Sequence, residues 1–143
     1  MEDIKYVFDV EKDDFVRAVE TSSKIKKILR ELGIDSGIIR KISIAAYEAE
    51  MNIVIHSHGG QVVLEITPGI IRITASDRGP GIADVELAMR EGYSTATERV
   101  REMGFGAGMG LPNMKKCSDR FYMNSLEGKG TTIVIEVDLK AGE

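Results

Sequence analysis

Three polar side chains recur at four-residue spacing in a stretch that otherwise has an apolar helical pattern. Glu48, Asn52 and His56 follow one another at i, i+4 and i+8, so a helix places them on one face. A carboxylate one turn before an amide can act as a general base beside a hard cation bound by the amide oxygen. The competing interpretation is a solvated helix surface, with His56 as a capping or packing residue. Asn52 argues against it, because asparagine is a poor helix former in mid-helix.

A run of alternating glycines is the most specific feature of the sequence. It consists of Gly104, Gly106, Gly108 and Gly110, and it leads into a helix predicted to start at Leu111. Glycines at every second position favour neither helix nor strand, but they let successive backbone N–H groups approach a bulky anion. A following helix adds free N–H groups and a positive dipole end. The spacing is not that of a Walker A loop or a dinucleotide fingerprint. The run favours a phosphate-binding loop over a flexible linker.

A third motif follows the end of a predicted strand, in the order Asp77, Arg78, Gly79, Pro80 and Gly81. An aspartate there can accept a hydrogen bond from an exocyclic amine, and glycine lets a flat ring lie against the backbone. A plain turn is the alternative, because Asp, Gly and Pro dominate turns. The two interpretations weigh equally for the motif taken alone.

Apolar residues that alternate with polar ones predict the strands that position these motifs. Strands are predicted at residues 5–10, 61–66, 70–76, 121–125 and 131–139. Pro68 and Gly69 provide the turn of a hairpin between the second and third strands. With two long helices before most of the strands, we expect an α+β fold. Its architecture is a two-layer α/β sandwich, a mixed and mostly antiparallel sheet with helices on one face.

Helical spacing of apolar residues predicts the helices. The first is capped by Asp13 or Asp14 and ended by Gly33. Its predicted apolar stripe consists of Phe15, Ala18 or Val19, Ser22, Ile25, Leu29 and Leu32. The second runs from a cap at Asp35 or Ser36 to about residue 55, with a stripe of Ile38, Ile42, Ala45, Ala46, Ala49 and Ile53. Shorter helices are predicted at 84–90 and 111–117.

Length and composition indicate one soluble domain over residues 1–143. The net charge of −4, from 19 basic and 23 acidic residues, argues against a general nucleic-acid binder. The single cysteine, Cys117, has no partner for an intramolecular disulfide. No apolar run approaches the roughly 20 residues that span a bilayer, and the N-terminus does not read as a secretory signal. We expect a cytoplasmic protein with no nucleic-acid or membrane partner.

Taken in order, these motifs resemble the Bergerat ATP-binding fold of the GHKL superfamily. The segment 48–56 resembles its N box, 77–81 its D-x-G-x-G box, and 106–111 the glycine box of its ATP lid. Gly128-Lys-Gly130-Thr131 resembles the final G-x-G-T. Each motif is weak alone, whereas four in this order and spacing are specific. The resemblance covers residues 38–139, and implies ATP and Mg²⁺ as cofactors.

Within the superfamily, residues 92–95 and 108–112 are similar to those of the small serine kinases of bacterial partner switching. By that resemblance Glu48 is the general base toward the acceptor hydroxyl, Asn52 coordinates magnesium, and Asp77 binds the adenine amine. Gly106, Gly108 and Gly110 hold the phosphates, and Thr131 supports the base. The implied set of cofactor-binding residues is completed by Gly79, Gly81, Gly104 and Leu111.

The implied function is an ATP-dependent serine/threonine protein kinase, an anti-sigma factor or switch kinase. It phosphorylates, in trans, a small STAS-domain protein of the anti-anti-sigma type. Further implied partners are a sigma factor or a phosphatase, and a homodimer is left open. The alternative is a nucleotide-gated anti-sigma or partner-binding module without phosphoryl transfer. Glu48 favours the kinase, since a protein that only binds needs no base.

Overall fold

The computed structural model describes residues 3–12, 19–79, 110–126 and 128–139. The predicted helix at 84–90 lies outside these residues. Within them, no helix combines the length and the apolar character needed to cross a membrane. The described elements, in chain order, are β1 (Ile4–Val10), α1 (Glu20–Glu31), α2 (Ser36–His56), β2 (Gly60–Ile66), β3 (Ile70–Asp77), α3 (Gly110–Lys116), β4 (Arg120–Leu126) and β5 (Gly130–Asp138).

The five described strands form one sheet in the order β1-β2-β3-β5-β4, and each neighbouring pair is antiparallel. β2 and β3 form the predicted hairpin, in which the Thr67 N–H donates to the Ile70 carbonyl at 2.9 Å. β5 lies between β3 and β4, and its register pairs Ser76 with Thr132. The end of β3 therefore meets the start of β5, which brings the motif at Asp77 beside Thr131.

One face of the sheet is covered by helices, as predicted. The buried apolar sheet residues on that face are Val10, Val62, Leu64, Ile66, Ile71, Ile73, Ala75, Ile133, Ile135 and Val137. α2 contacts β1, β2, β3 and β5, and α1 packs against α2. All six residues of the predicted stripe on α2 are buried. Its cap is Asp35, whose carboxylate accepts hydrogen bonds from the Gly37 and Ile38 N–H groups at 3.0 and 3.3 Å. Packing and capping therefore agree with the helical period.

The start of α1 differs from the prediction. The helix that carries Ser22, Ile25 and Leu29 begins at Glu20, so neither Asp13 nor Asp14 caps it. Its first N–H groups are satisfied from another element. The buried carboxylate of Glu50, only 2% exposed, accepts hydrogen bonds from the Thr21 and Ser22 N–H groups, both at 3.0 Å. A capping carboxylate supplied by α2 replaces the local cap that the sequence suggested.

Phe15 and Ala18 of the predicted α1 stripe lie outside the described residues, and the described part of the stripe is buried in its middle. Ser22, Ile25 and Leu29 are buried, whereas Val19 and Leu32 at its two ends are exposed. The helix ends at Glu31, and Gly33 takes the left-handed conformation expected after a helix, with φ +72°. Ile34 then turns inward and is buried. Ile34 thereby fills the core position that the pattern had assigned to Leu32.

The opposite face of the sheet carries a ladder of alternating charges. The strand registers place Lys5, Glu65, Arg72, Glu136 and Arg120 in one row. Glu136 accepts hydrogen bonds from Arg72 at 2.8 Å and from Arg120 at 2.7 Å, each through the Nε atom. Arg120 also bonds Asp138. The neighbouring row is mostly apolar, and it ends in Val7 and Tyr122, which are 54% and 55% exposed.

Because of the charge ladder, we expect the unfolding free energy to depend on pH in the acid range. The hydrogen bonds from Arg120 and then Arg72 lower the pKa of Glu136. A carboxyl group whose pKa is lower in the folded than in the unfolded state stabilises the fold. This stabilisation is complete above the unfolded-state pKa of about 4.3, and it is lost as the pH falls through the folded-state pKa. Glu136→Gln is therefore expected to lower the unfolding free energy at neutral pH by about 1 kcal/mol. It should also make the urea midpoint less sensitive to acid below about pH 4.5.

The matched control is Glu65→Gln in the same row, because Glu65 contacts Arg72 only at 3.9 Å. Urea titrations between neutral and acid pH compare both variants with the parent chain. Equal slopes of midpoint against pH in the parent and in Glu136→Gln would contradict the prediction.

Candidate active site

Glu48 lies where α2 passes the start of α3. The Asn113 side-chain amide donates a hydrogen bond to Glu48 Oε2 at 2.9 Å. The same oxygen lies 3.9 Å from the position that a Cβ atom on Gly110 would occupy. The carboxylate thus stands within contact distance of the last glycine of the alternating run. This is the juxtaposition that a base facing a bound phosphate requires.

Asn52 follows Glu48 by one turn of α2 and is partly buried. α2 ends at His56, whose side chain lies outside the described part of the structure. Among the described residues, no three His, Cys, Asp or Glu side chains converge as metal ligands. A magnesium ion held by the Asn52 amide oxygen would complete its shell with phosphate oxygens and water. That is the usual arrangement for this cation beside nucleotides.

Asp77 and Thr131, which the resemblance places around the base, lie together. The Thr131 N–H donates to Asp77 Oδ1 at 3.1 Å. The Thr131 hydroxyl lies 2.8 Å from that of Ser125, its register partner in the β4–β5 pair. Within the described residues nothing donates to the other carboxylate oxygen, Asp77 Oδ2. Thr131 therefore holds the Asp77 side chain through one of its two oxygens.

Glycines let the backbone close tightly around Asp77. A Cβ atom on Gly130 would overlap the Asp77 carbonyl, and one on Gly60 would overlap the Ser76 carbonyl. Gly79 packs on Ser57 at the end of α2, because a Cβ atom on Gly79 would lie 3.1 Å from Ser57 Cα. Gly79 thus has a packing function in addition to the ring contact expected for it.

The surroundings of Asp77 perturb its titration. Burial raises the pKa of Asp77, whereas the hydrogen bond from Thr131 and the nearby His58 lower it. Burial dominates, so the pKa lies above its ordinary value. Asp77 therefore takes up a proton, and loses an acceptor site, at a higher pH than an exposed aspartate does.

The sequence motifs missed three supporting residues: Asn113, Ser125 and Glu50. Glu50 carries a signal, because it falls among the apolar positions of α2, where an unpaired carboxylate would be costly. Ser125 could be found by pairing the two predicted last strands outward from their turn. Asn113 has no comparable signal, since its contact depends on how α3 packs against α2. Gly81, Gly104, Gly106 and Gly108 lie outside the described residues.

Comparisons with known proteins identify the class to which this arrangement belongs. Residues 37–141 match the family described as histidine kinase-, DNA gyrase B- and HSP90-like ATPases. The chain belongs to this family, which confirms the GHKL assignment and the α+β fold expected from the motifs.

Similarity to individual relatives indicates which members of this family the chain resembles. The chain is 33% identical over 112 residues to the serine/threonine-protein kinase RsbT of Bacillus subtilis (strain 168), covering 76% of this chain and 78% of the relative. It is 30% identical over 138 residues to the anti-sigma F factor of Caldanaerobacter subterraneus subsp. tengcongensis, covering 93% and 90%. The anti-sigma F factor of Pasteuria penetrans is 36% identical over 101 residues, covering 66% and 64%. A kinase and anti-sigma factors are thus both similar to this chain.

Proposed function

We propose that this chain is an ATP-dependent serine/threonine protein kinase that phosphorylates a small STAS-domain protein in trans, in bacterial partner switching. The single observation that carries the proposal is the position of the Glu48 carboxylate, held by Asn113 at the end of the glycine run. A protein that only bound nucleotide would need no carboxylate there. The similarity to a serine/threonine-protein kinase supports the same conclusion.

The side chains fit the cofactors that this function requires. Glu48 takes the proton from the serine or threonine hydroxyl of the acceptor, and Asn113 orients it through its amide. Asn52 supplies an amide oxygen to Mg²⁺, and Asp77 accepts a hydrogen bond from the adenine amine through Oδ2. ATP bound with Mg²⁺ supplies the phosphoryl group, and the cation offsets its charge.

The remaining residues surround the same ligand. Thr131 fixes the orientation of Asp77, while Gly79 and Gly81 leave room for the flat base. Backbone N–H groups from Gly104 to Gly110 and from Leu111 bind the phosphates. Residues 1–143 form one kinase domain and act in the cytoplasm.

Binding of a sigma factor is the second candidate function. The specific observation in its favour is the similarity to an anti-sigma F factor over 93% of the chain. In this alternative ATP orders a partner-binding surface, and no phosphoryl group is transferred. The two functions predict different fates for the γ-phosphate and are therefore separable by experiment.

The decisive experiment incubates the purified chain with radiolabelled ATP, Mg²⁺ and a STAS-domain protein encoded beside it. We expect label on a serine or threonine of the STAS-domain protein, dependent on Mg²⁺ and abolished by a chelator. Tight nucleotide binding without any labelled acceptor would favour the partner-binding alternative. Absence of nucleotide binding by calorimetry would contradict both.

A further inference from the structure

A groove lies between α1 and α2 on the side of the helices that no described strand reaches. Its volume is about 580 Å³, and only helix residues and the short α1–α2 connection line it. Ile39 and Ile44 contribute apolar surface to its floor, and Ile44 remains 36% exposed. Lys26, Arg30 and Arg40 form its rim. We call it the α1–α2 groove, an apolar floor inside a ring of positive charge.

No described residue neutralises the three rim cations. All three are exposed, and within the described residues no acidic side chain forms an ion pair with any of them. No aspartate or glutamate lines the groove. Elsewhere, Lys24 is paired with Glu20 at 2.9 Å, and Arg72 and Arg120 are paired with Glu136. This concentration of free positive charge contrasts with the net charge of −4 for the whole chain.

One residue of the groove lining carries a buried polar atom. Ser43 lines the groove, and its hydroxyl oxygen is buried with no hydrogen-bond partner among the described residues. Buried polar atoms are nearly always satisfied, so an unsatisfied one calls for a physical explanation. This oxygen is buried below the groove surface, so a docked segment would be held by the rim cations and by the apolar floor.

The groove leads toward the candidate base. Arg40, Ile44, Glu48 and Asn52 are spaced four residues apart on α2, which places them in sequence along one ridge. Ile44 at the end of the groove is thus one helical turn before Glu48. A protein held in the groove would lie beside the carboxylate that is to receive its hydroxyl proton.

We propose that the α1–α2 groove docks an acidic amphipathic segment of the protein that accepts the phosphoryl group. This inference rests on the proposed function and names the surface that recognises the acceptor. Carboxylates of the segment pair with the rim cations, and its apolar side chains cover Ile39 and Ile44. A nucleic acid fits less well, because its phosphate backbone has no apolar group for the floor.

The test uses charge reversal at matched neighbouring positions. Lys26→Glu with Arg40→Glu changes two rim residues. Lys27→Glu with Lys41→Glu makes the same charge change one residue further along each helix, away from the groove lining. We expect the rim variant to raise the KM for the STAS-domain acceptor at least about tenfold, with kcat and ATP affinity within about twofold of the parent. The control variant should change KM by less than about threefold. Equal effects of the two variants would overturn the proposal.

A binding measurement separates failure of the groove from failure of the kinase assignment. The probe is a fluorescent helical peptide of about 15 residues, with leucine on one face and glutamate on the other. We expect the parent chain to bind it at least about tenfold more tightly than the rim variant does, whether or not any acceptor is phosphorylated. Tighter binding of a labelled oligonucleotide, lost in the same variant, would overturn the proposal in favour of a nucleic-acid surface.

Discussion

Glu48→Gln is expected to lower phosphoryl transfer to the acceptor by at least about 100-fold, the usual contribution of a general base. Glutamine has the same shape, and its amide oxygen can still accept the hydrogen bond that Asn113 donates to Glu48 Oε2. The contact between α2 and α3 is therefore kept, and only the ability to take a proton is lost. ATP affinity, measured by calorimetry, should stay within about twofold of the parent value.

Glu50→Gln is the matched control, because it makes the same change two residues away on the same helix. Glu50 caps α1 from a buried position with both of its oxygens, so replacement by glutamine removes one charge-assisted hydrogen bond and weakens the other. It should lower the unfolding free energy by about 1.5–3 kcal/mol. Transfer per folded molecule should remain near the parent rate. A Glu48→Gln variant that transfers phosphate normally would remove Glu48 as the base.

Asp77→Asn is expected to weaken ATP binding by about 1.5–3 kcal/mol, or roughly 10- to 150-fold. The amide oxygen of asparagine can still accept the hydrogen bond from the Thr131 N–H, so the contact between β3 and β5 persists. The other carboxylate oxygen becomes an NH₂ group, which cannot accept a hydrogen bond from the adenine amine. Calorimetry with ATP measures the change, and circular dichroism checks that the fold is retained.

Inosine triphosphate provides the matched ligand, because its base carries a carbonyl oxygen where adenine carries the amine. The parent chain should prefer ATP strongly, and Asp77→Asn should lose most of that preference. Because burial raises the pKa of Asp77, ATP affinity of the parent should also begin to fall at a higher pH than an ordinary aspartate would cause. The variant should lack this dependence. Parent-like affinity and selectivity in Asp77→Asn would rule out the adenine contact.

Local periodicity explains why most of the fold could be predicted from the sequence. The stripe from Ile38 to Ile53 and the alternation from Gln61 to Ser76 each repeat a burial pattern that only one type of element satisfies. The start of α1 could not be predicted in the same way. Its N–H groups bond to Glu50, which is 29 residues from Thr21 in the chain, and no nearby residue indicates that choice.

The same distinction applies to the candidate site: some of its residues could be predicted from local sequence, whereas their contacts depend on packing. Residue type and spacing pointed to Glu48 and Asp77, because each belongs to a motif with its own chemical reason, whereas Thr131 came from the resemblance to the GHKL superfamily. How Glu48 meets Gly110 and Asn113 depends on the packing of α3 against α2, which a motif does not contain. The α1–α2 groove is likewise a product of packing, since its rim cations are ordinary surface residues when the sequence is considered alone.

The glycines around Asp77 also bear on the entropy of ligand binding. Gly60 and Gly130 pack main chain against main chain at the end of β3, so these positions have no side-chain rotamers to immobilise when a nucleotide arrives. The Asp77 side chain is itself restrained by Thr131 before any ligand is present. This end of the site is therefore preorganised, and little of the binding free energy is lost to ordering it.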